Sequence, residues 1–271
     1  MKSLFLGTAL SFAAGAALAG GHLCYEGKTI TEGKFTVATG NPAYYPWVMD
    51  DNPASGMGFE AAVAYAVADE MGLAPEDVVW VRTSFDEAIQ PGAKNFDVNI
   101  QQYSITAERD EMVDFSAPYY SAAMAVLAVG EAADTPATLA DLKALKWGAV
   151  GTTTAVPKLI ETIQPESDPL LYGDNADVTA AMQAGQIDAA LFDLPTALFL
   201  SAVVIEGSSI IGQFPAQRSE IPDQFGMLME EGNALKECVD AALAALTESG
   251  KLAEIEAQWL QDTTGVPLIA E

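Results

Sequence analysis

The sequence predicts an α/β protein, folded as one large domain or two smaller ones. Short apolar segments typical of strands alternate along the chain with segments of helical spacing. The 271 residues exceed the usual size of one domain, so we expect either one large domain or two of roughly 100–150 residues each. Half of the residues are hydrophobic and only 18% are charged, a composition typical of a globular protein.

In the first half of the chain, the clearest element is a helix from Phe59 to Met71. Phe59, Val63 and Val67 recur there at helical spacing. The other elements predicted in this half are strands at 35–39, 78–81, 96–100 and 124–129, a short helix at 85–89, and a helical turn capped by Thr106.

The second half repeats the alternation and ends in two helices. Gly250 separates these helices, which are predicted at 233–248 and 252–260. The other predicted elements are strands at 146–150, 187–192 and 225–229, and helices at 153–162, at 178–184 and from residue 194 onward.

The net charge and the histidine count of the chain argue against several classes of function. A formal net charge of −26 argues against binding to nucleic acid and to an anionic membrane surface, because both need a basic protein surface. His22 is the single histidine, which argues against a Ser-His-Asp triad, a Cys-His pair or a multi-histidine metal site. We therefore expect neither a metal nor a cofactor.

The N-terminus has the pattern of a secretory signal peptide over residues 1–19. Lys2 is the only charge before Glu26, and residues 4–19 are apolar or small. Ala17 and Ala19 provide the small-x-small pattern that signal peptidase reads. The sequence thus predicts that the protein is exported and that residues 1–19 are cleaved off.

No later segment is predicted to insert into a membrane. The longest apolar stretch, 189–205, is interrupted by Asp193 and Pro195 and is too short to span a bilayer. We expect the mature protein to be a monomer.

The chain contains two cysteines, Cys24 and Cys238. In an oxidising compartment they permit one intramolecular disulfide, which would attach the N-terminal segment to a C-terminal helix. The alternative is two separate thiols, with Cys238 buried as a small apolar residue.

Arg109 is the first candidate for ligand binding. If Thr106 caps a helix, Arg109 lies in its first turn, where the helix dipole disfavours a cation. One interpretation is surface pairing with Glu108, Asp110 and Glu111. The other is that the guanidinium binds a carboxylate bidentately, for which its planar geometry is suited.

Asp193 is the complementary candidate, because it ends the predicted strand at 187–192. In open α/β sheets, ligands gather at the carboxyl ends of strands, where a carboxylate can receive an ammonium group. Asp193 also suits the N-cap of a helix that has Pro195 in its first turn. The two roles are compatible.

Two aromatic residues, Tyr44 and Phe85, follow predicted strands in the first half. Tyr44 lies in a proline-containing segment that predicts an irregular loop. Such side chains either line a pocket or form a small satellite core.

The most specific motif of the sequence lies within residues 104–120. It begins Ser104-Ile105-Thr106-Ala107-Glu108-Arg109 and continues with Asp114-Phe115-Ser116 and Tyr119-Tyr120, and further matches occur at 58–60, 150–153, 192–195 and Trp259. In these motifs the chain resembles the family 3, amino-acid-binding, extracellular solute-binding proteins of bacterial ABC importers. The resemblance covers about residues 34–262.

The resemblance implies a fold of two α/β lobes joined by two hinge strands, with the ligand in the cleft between them. The implied lobes are 20–122 plus 222–271, and 123–221. Arg109 and Thr106 are implied to bind the ligand α-carboxylate, with donors from Thr152 and Thr153. The remaining implied contacts are Ser104, Gln102 (backbone) and Asp193 to the ammonium, and Tyr44 and Phe85 on either side of the ligand side chain.

The resemblance also implies a function, the capture of an amino acid and its delivery to an ABC transporter permease. Asn41 stands where relatives that bind cationic side chains carry Asp, and Ala149 stands where some relatives carry a basic residue. With neither charge supplied, the sequence predicts a ligand with a neutral side chain. The alternative on the same fold is a periplasmic dehydratase acting on a cyclic amino-acid precursor.

Overall fold

The computed structural model describes residues 23–214, 223–260 and 265–270 of the chain. The predicted signal peptide and His22 lie outside these residues. The strands are β1 (Phe35–Thr39), β2 (Val78–Arg82), β3 (Val98–Asn99), β4 (Asp114–Phe115), β5 (Tyr120–Ala122), β6 (Met124–Ala128), β7 (Trp147–Val150), β8 (Leu170–Tyr172), β9 (Ala189–Asp193), β10 (Ser209–Phe214), β11 (Asp223–Phe225) and β12 (Leu228–Met229).

Helices alternate with these strands, as predicted. They are α1 (Phe59–Met71), α2 (Phe85–Ala88), α3 (Ala107–Asp110), α4 (Leu139–Leu142), α5 (Ala155–Pro157), α6 (Asn175–Gln183), α7 (Leu194–Phe199), α8 (Lys236–Glu248) and α9 (Lys251–Trp259). Helices α5 and α7 each continue into a π-helical segment, Lys158–Ile163 and Leu200–Val204.

The strands form two five-stranded sheets, which define two lobes. The sheet of the first lobe has the order β2-β1-β3-β12-β4, and that of the second lobe has the order β10-β6-β9-β7-β8. In each sheet, strands that lead into helices pair in parallel. In the first lobe β1 pairs with β2 and β3, and in the second lobe β7 pairs with β8 and β9. The predicted α/β class with two lobes is confirmed.

Each lobe has its own hydrophobic core. In the first lobe, α1 and α8 pack together, and Phe35, Phe59 and Leu243 are almost completely buried. In the second lobe, Leu127 and Leu191 belong to clusters on opposite sides of the sheet. Burial on both faces accounts for the nearly continuous apolar runs of β6 and β9.

Strand β5 runs directly into the second-lobe strand β6, and it pairs antiparallel with β11. Strands β5 and β11 therefore form a two-stranded connection between the lobes. Near the C-terminus, Ile269 N donates to the carbonyl of Gln213 at 3.0 Å, so this segment packs on the second lobe.

The prediction of one continuous strand at 225–229 is wrong. Phe225 ends β11 and Leu228 begins β12, which lies in a different sheet. Between them, Gly226 N donates to the Tyr103 carbonyl at 3.0 Å, and a Cβ at Gly226 would lie 2.9 Å from Ile105. The chain turns at Gly226 because the segments on either side pair with different strands, β11 with β5 and β12 with β3 and β4.

In the part of the chain that the structure describes, no helix combines the length and the apolar character needed to cross a membrane.

Candidate functional site

A cavity of about 120 Å³ lies between the two lobes, at the carboxyl ends of several strands. It is lined by Tyr44, Phe85, Gln102, Ser104, Arg109, Met124, Ala149, Val150, Thr153, Thr154, Ala155, Gly173, Asp174, Asn175, Val178, Leu191, Phe192, Asp193, Asp223 and Phe225. The two lobes and the connecting strand β11 all contribute. The lining thus combines aromatic and aliphatic walls with a few charged groups.

Arg109 is buried in this cavity. Thr106 caps α3 by accepting a hydrogen bond from Arg109 N at 3.2 Å, which sets the direction of the arginine side chain. Its guanidinium donates to the carbonyl of Ser104 at 2.8 Å and, across the cleft, to that of Thr152 at 2.8 Å. It also lies over the ring of Phe85, 5.4 Å from the ring centroid.

Burial lowers the pKa of Arg109, and the nearby charge of Asp223 partly opposes this effect. An arginine remains protonated under physiological conditions even when its pKa falls. Two of its five N–H donors go to the carbonyls of Ser104 and Thr152. The interpretation of Arg109 as a surface cation paired with its acidic neighbours is therefore excluded by its burial.

Asp193 lines the cavity from the second lobe, at the end of β9. It caps α7, with Oδ1 accepting a hydrogen bond from Thr196 N at 2.8 Å. The pKa of Asp193 is raised to about 6, mainly by burial and in smaller part by the charge of Asp223, while the hydrogen bonds from Thr196 act in the opposite direction. The predicted N-cap role and a place in the cavity thus coexist.

Gln102 adopts a left-handed backbone conformation, with φ of 51°, in the turn that follows β3. Its backbone N–H donates to Glu60 Oε1 at 2.7 Å, and its side-chain amide donates to Glu60 Oε2. Tyr119 donates its hydroxyl to the same carboxylate. Glu60 thereby fixes the turn that carries Gln102.

Glu60 itself is completely buried. Burial raises its pKa to about 7, against the lowering effect of the hydrogen bonds from Tyr119 and Gln102. Gly58 fixes the position of Glu60 at the start of α1. A Cβ at Gly58 would lie 2.5 Å from the carbonyl oxygen of Trp47, so α1 can begin this close to the Trp47 loop only if residue 58 is glycine. In the sequence, Gly58 and Glu60 stand out only as members of the motif at 58–60.

Asp223 and Thr154 are cavity residues that the sequence analysis did not identify. Thr154 Oγ1 donates to Asp223 Oδ2 at 3.3 Å and lies 3.4 Å from Ser104 Oγ. Burial raises the pKa of Asp223, whereas hydrogen bonds from Ser104 and Thr154 and the charge of Arg109 lower it. No sequence pattern singled out Asp223, because only the pairing of β11 with β5 brings it to the cleft.

The structure brings most of the predicted site residues together. Those that line the cavity are Tyr44, Phe85, Gln102, Ser104, Arg109, Thr153 and Asp193. The other three lie outside the lining. Asn41 is exposed, Thr106 caps α3, and Thr152 donates its hydroxyl to Asp86 Oδ1 at 2.5 Å.

Further contacts join the lobes around the cavity. Trp47 Nε1 donates to Thr196 Oγ1 at 2.8 Å, and both side chains are buried. The rings of Tyr45 and Phe199 pack with their centroids 4.8 Å apart. Thr196 N also donates to Asp193 Oδ1. Thr196 therefore links Trp47 in the first lobe to Asp193 at the cavity.

Cys24 and Cys238 are free thiols in the structure, the first exposed and the second buried on α8. Lys28 Nζ lies 3.7 Å from Cys238 Sγ. Burial raises the pKa of the Cys238 thiol to about 11, and its interaction with Cys24 adds to this increase. Among the residues that the structure describes, there is no cluster of side chains able to hold a metal ion.

A cavity between two α/β lobes, with a buried arginine on one side and a half-buried carboxylate on the other, defines a ligand-binding protein of the two-lobed, type II periplasmic kind. Comparisons with known proteins agree with this class. The family model for bacterial extracellular solute-binding proteins, family 3, matches residues 36–262. The chain belongs to this family of solute-binding proteins.

Characterised relatives and solved structures are similar over most of the chain. The ABC transporter arginine-binding protein 1 of Escherichia coli (strain K12) is 29% identical, over 75% of this chain and 81% of the relative. The L-cystine-binding protein TcyJ of the same strain is 28% identical, over 80% of this chain and 79% of the relative. The structure of an ancestral arginine-binding protein bound to glutamine aligns with a TM-score of 0.69 and 26% identity, over 84% of this chain and 98% of that one.

Proposed function

We propose that this protein captures an amino acid in the periplasm and delivers it to the permease of an ABC importer. The observation that carries the proposal is the pair of opposite charges at the cavity. Arg109 approaches it from the first lobe and Asp193 from the second. An amino-acid zwitterion has the charges to pair with both groups.

In the proposed complex, the ligand carboxylate binds the guanidinium of Arg109. Two donors of Arg109 go to backbone carbonyls, and a bidentate carboxylate needs two more of the five. Thr153 lines the same cavity, but its hydroxyl already donates to the carbonyl of Val150 at 2.8 Å, and the Ser104 hydroxyl lies beside that of Thr154. The ammonium binds Asp193 and the backbone carbonyl of Gln102, whose turn is fixed by Glu60.

The proposed mechanism of capture is closure of the lobes around the zwitterion. A ligand that pairs with Arg109 and Asp193 at once interacts more strongly with the closed form, and that difference shifts the population. Closure also excludes water, which strengthens the charged hydrogen bonds. The closed form is the one that we expect the permease to recognise.

For the ligand side chain, we propose a neutral group, polar or apolar. Ala149 lines the cavity without a charge, and Asn41 carries none but lies outside the lining. Asp174 also lines the cavity, where it caps α6 by accepting a hydrogen bond from Asp177 N at 2.9 Å. Phe85 and Phe192 contribute apolar surface, while Tyr44 adds a hydroxyl. Arginine-binding relatives make the cationic amino acids the competing class, and the L-cystine-binding relative fits a side chain without net charge.

A thermal-shift screen tests the proposal. The mature protein is heated with each of the twenty L-amino acids and L-cystine, because a tight ligand stabilises the folded protein by RT ln(1 + [L]/Kd). We expect a shift with one or a few neutral amino acids. A shift only with arginine and lysine would overturn the neutral class, and no shift at all would overturn amino-acid binding.

Mass spectrometry separates this function from the dehydratase alternative. The protein is incubated with each amino acid that shifts its melting temperature and with a cyclic precursor of an aromatic amino acid. We expect every compound to be recovered unchanged. Loss of water from the cyclic precursor at a rate above that of the heat-denatured protein would support the enzyme instead.

A further inference from the structure

We propose that Asp223 is a second acidic acceptor for the ligand ammonium, and that with Asp193 it makes the site select for primary amines. This inference rests on the proposed function and adds a residue to the proposed site. Asp223 lies on β11, in the connection between the lobes, and its side chain lines the same cavity as Arg109 and Asp193.

The hydrogen bonding of Asp223 is incomplete. Thr154 Oγ1 donates to Oδ2 at 3.3 Å, and Ser104 is the other hydroxyl that stabilises this carboxylate. Oδ1 is buried and, within the described part of the chain, has no hydrogen-bond partner. A buried carboxylate oxygen without a donor is costly, so this position favours a ligand group that carries N–H.

The surrounding charges indicate the sign of that group. The charge of Asp223 is near enough to Asp193 to raise the pKa of Asp193. The single cation of the cavity lining, Arg109, donates to two backbone carbonyls and forms no ion pair with Asp223 among the described residues. A ligand cation between Asp193 and Asp223 relieves the repulsion between the two acids.

The number of N–H donors on the ligand amine determines the proposed selectivity for primary amines. A primary ammonium has three N–H donors, which matches three acceptors: Asp193, Asp223 and the backbone carbonyl of Gln102. N-methylation replaces one donor with a methyl group and leaves one acceptor unpaired in a buried site. We expect this change to weaken binding by about tenfold to a hundredfold.

The experiment is a double-mutant cycle in which one change is made in the protein and the other in the ligand. Calorimetry is run with the L-amino acid that gives the largest shift in the screen above and with its N-methyl derivative, on wild type and on Asp223→Asn. Asp69→Asn, an exposed change on α1 that removes the same charge, is the matched control. Asp223→Ser provides a second variant if the first does not fold.

We expect Asp223→Asn to weaken binding of the parent amino acid by about tenfold or more, because it removes a charged acceptor. We also expect N-methylation to cost much less in that variant than in wild type. Asp69→Asn is expected to bind like wild type.

Two results would overturn the inference while leaving the proposed function intact. One is unchanged affinity in Asp223→Asn, together with an undiminished cost of N-methylation. The other is tighter binding in that variant, which would mean that Asp223 repels the ligand carboxylate instead of receiving the ammonium. If no amino acid binds wild type, the proposed function itself fails, and the inference fails with it.

Discussion

The guanidinium of Arg109 donates to the backbone carbonyl of Thr152 at 2.8 Å, although the two residues belong to different lobes. The same side chain donates to the carbonyl of Ser104 in its own lobe. Arg109 is therefore both a contact between the lobes and the main positive charge of the cavity. Its loss should affect ligand binding and closure together.

Replacing Arg109 with alanine should reduce amino-acid affinity by roughly a hundredfold or more, the scale expected when a buried charged partner is removed. Arg109→Lys should recover only part of the affinity, because an ammonium group cannot bind a carboxylate in the bidentate manner of a guanidinium. Isothermal titration calorimetry measures both variants. Lys251→Ala, an exposed cation on α9, is the control for loss of a positive charge. Near-native affinity in Arg109→Ala would contradict the assignment.

Glu60 should make the stability of the protein depend on pH. Its pKa is raised from 4.5 when unfolded to about 7 in the folded protein, because the carboxylate is completely buried. The protonated group therefore favours the folded state at low pH, and this contribution is lost as the pH rises through about 7. Relative to Glu60→Gln, wild type should lose up to about 3 kcal/mol of unfolding free energy between pH 5 and pH 8.

Chemical denaturation at several pH values measures this difference. Glu70→Gln, an exposed change on α1, is the matched control for removal of a carboxylate. A gap between wild type and Glu60→Gln that stays constant, or that moves in favour of wild type as the pH rises, would show that Glu60 does not titrate as described.

The hydrogen bond from Trp47 to Thr196 should stabilise the closed form. Thr196→Val removes the acceptor with little change in shape, and the buried indole N–H of Trp47 then has no partner there. We expect about fivefold weaker ligand binding, equivalent to about 1 kcal/mol, and a larger radius of gyration by small-angle X-ray scattering. Thr247→Val, whose hydroxyl bonds only within α8, should change neither quantity. Equal effects in the two variants would exclude a specific role for this contact.

Cys24 and Cys238 should form a disulfide in protein purified from the periplasm. Intact mass spectrometry should find the protein lighter by two hydrogens than its reduced form. Reduction should lower the unfolding free energy by about 2–4 kcal/mol, the typical contribution of a disulfide. Cys24→Ser should be insensitive to the reductant. Two free thiols in the freshly isolated protein would contradict this prediction.

Hydrophobic periodicity and motifs predicted the elements whose conformation depends mainly on their own local sequence. The helix Phe59–Met71 and the strand Phe35–Thr39 have the predicted bounds because their apolar spacing is regular. The break at Gly226 could not be predicted, since it results from the pairing of β11 and β12 with different strands that are distant in sequence.

For the site, the sequence identified residues that belong to a recognisable motif, such as Arg109 and Asp193. It did not identify Asp223, because that carboxylate reaches the cavity only through the pairing of β11 with β5. The role of Glu60 beneath Gln102 was also hidden, since the two residues are 42 positions apart and meet only in the folded chain.

The central claim is that one amino acid joins Arg109 and Asp193 across the cleft. The most direct test is a crystal structure of the protein with the amino acid that gives the largest thermal shift. The account predicts the ligand carboxylate on the guanidinium of Arg109 and its ammonium on the carboxylate of Asp193. A ligand bound outside the cleft, or bound with its carboxylate away from Arg109, would contradict it.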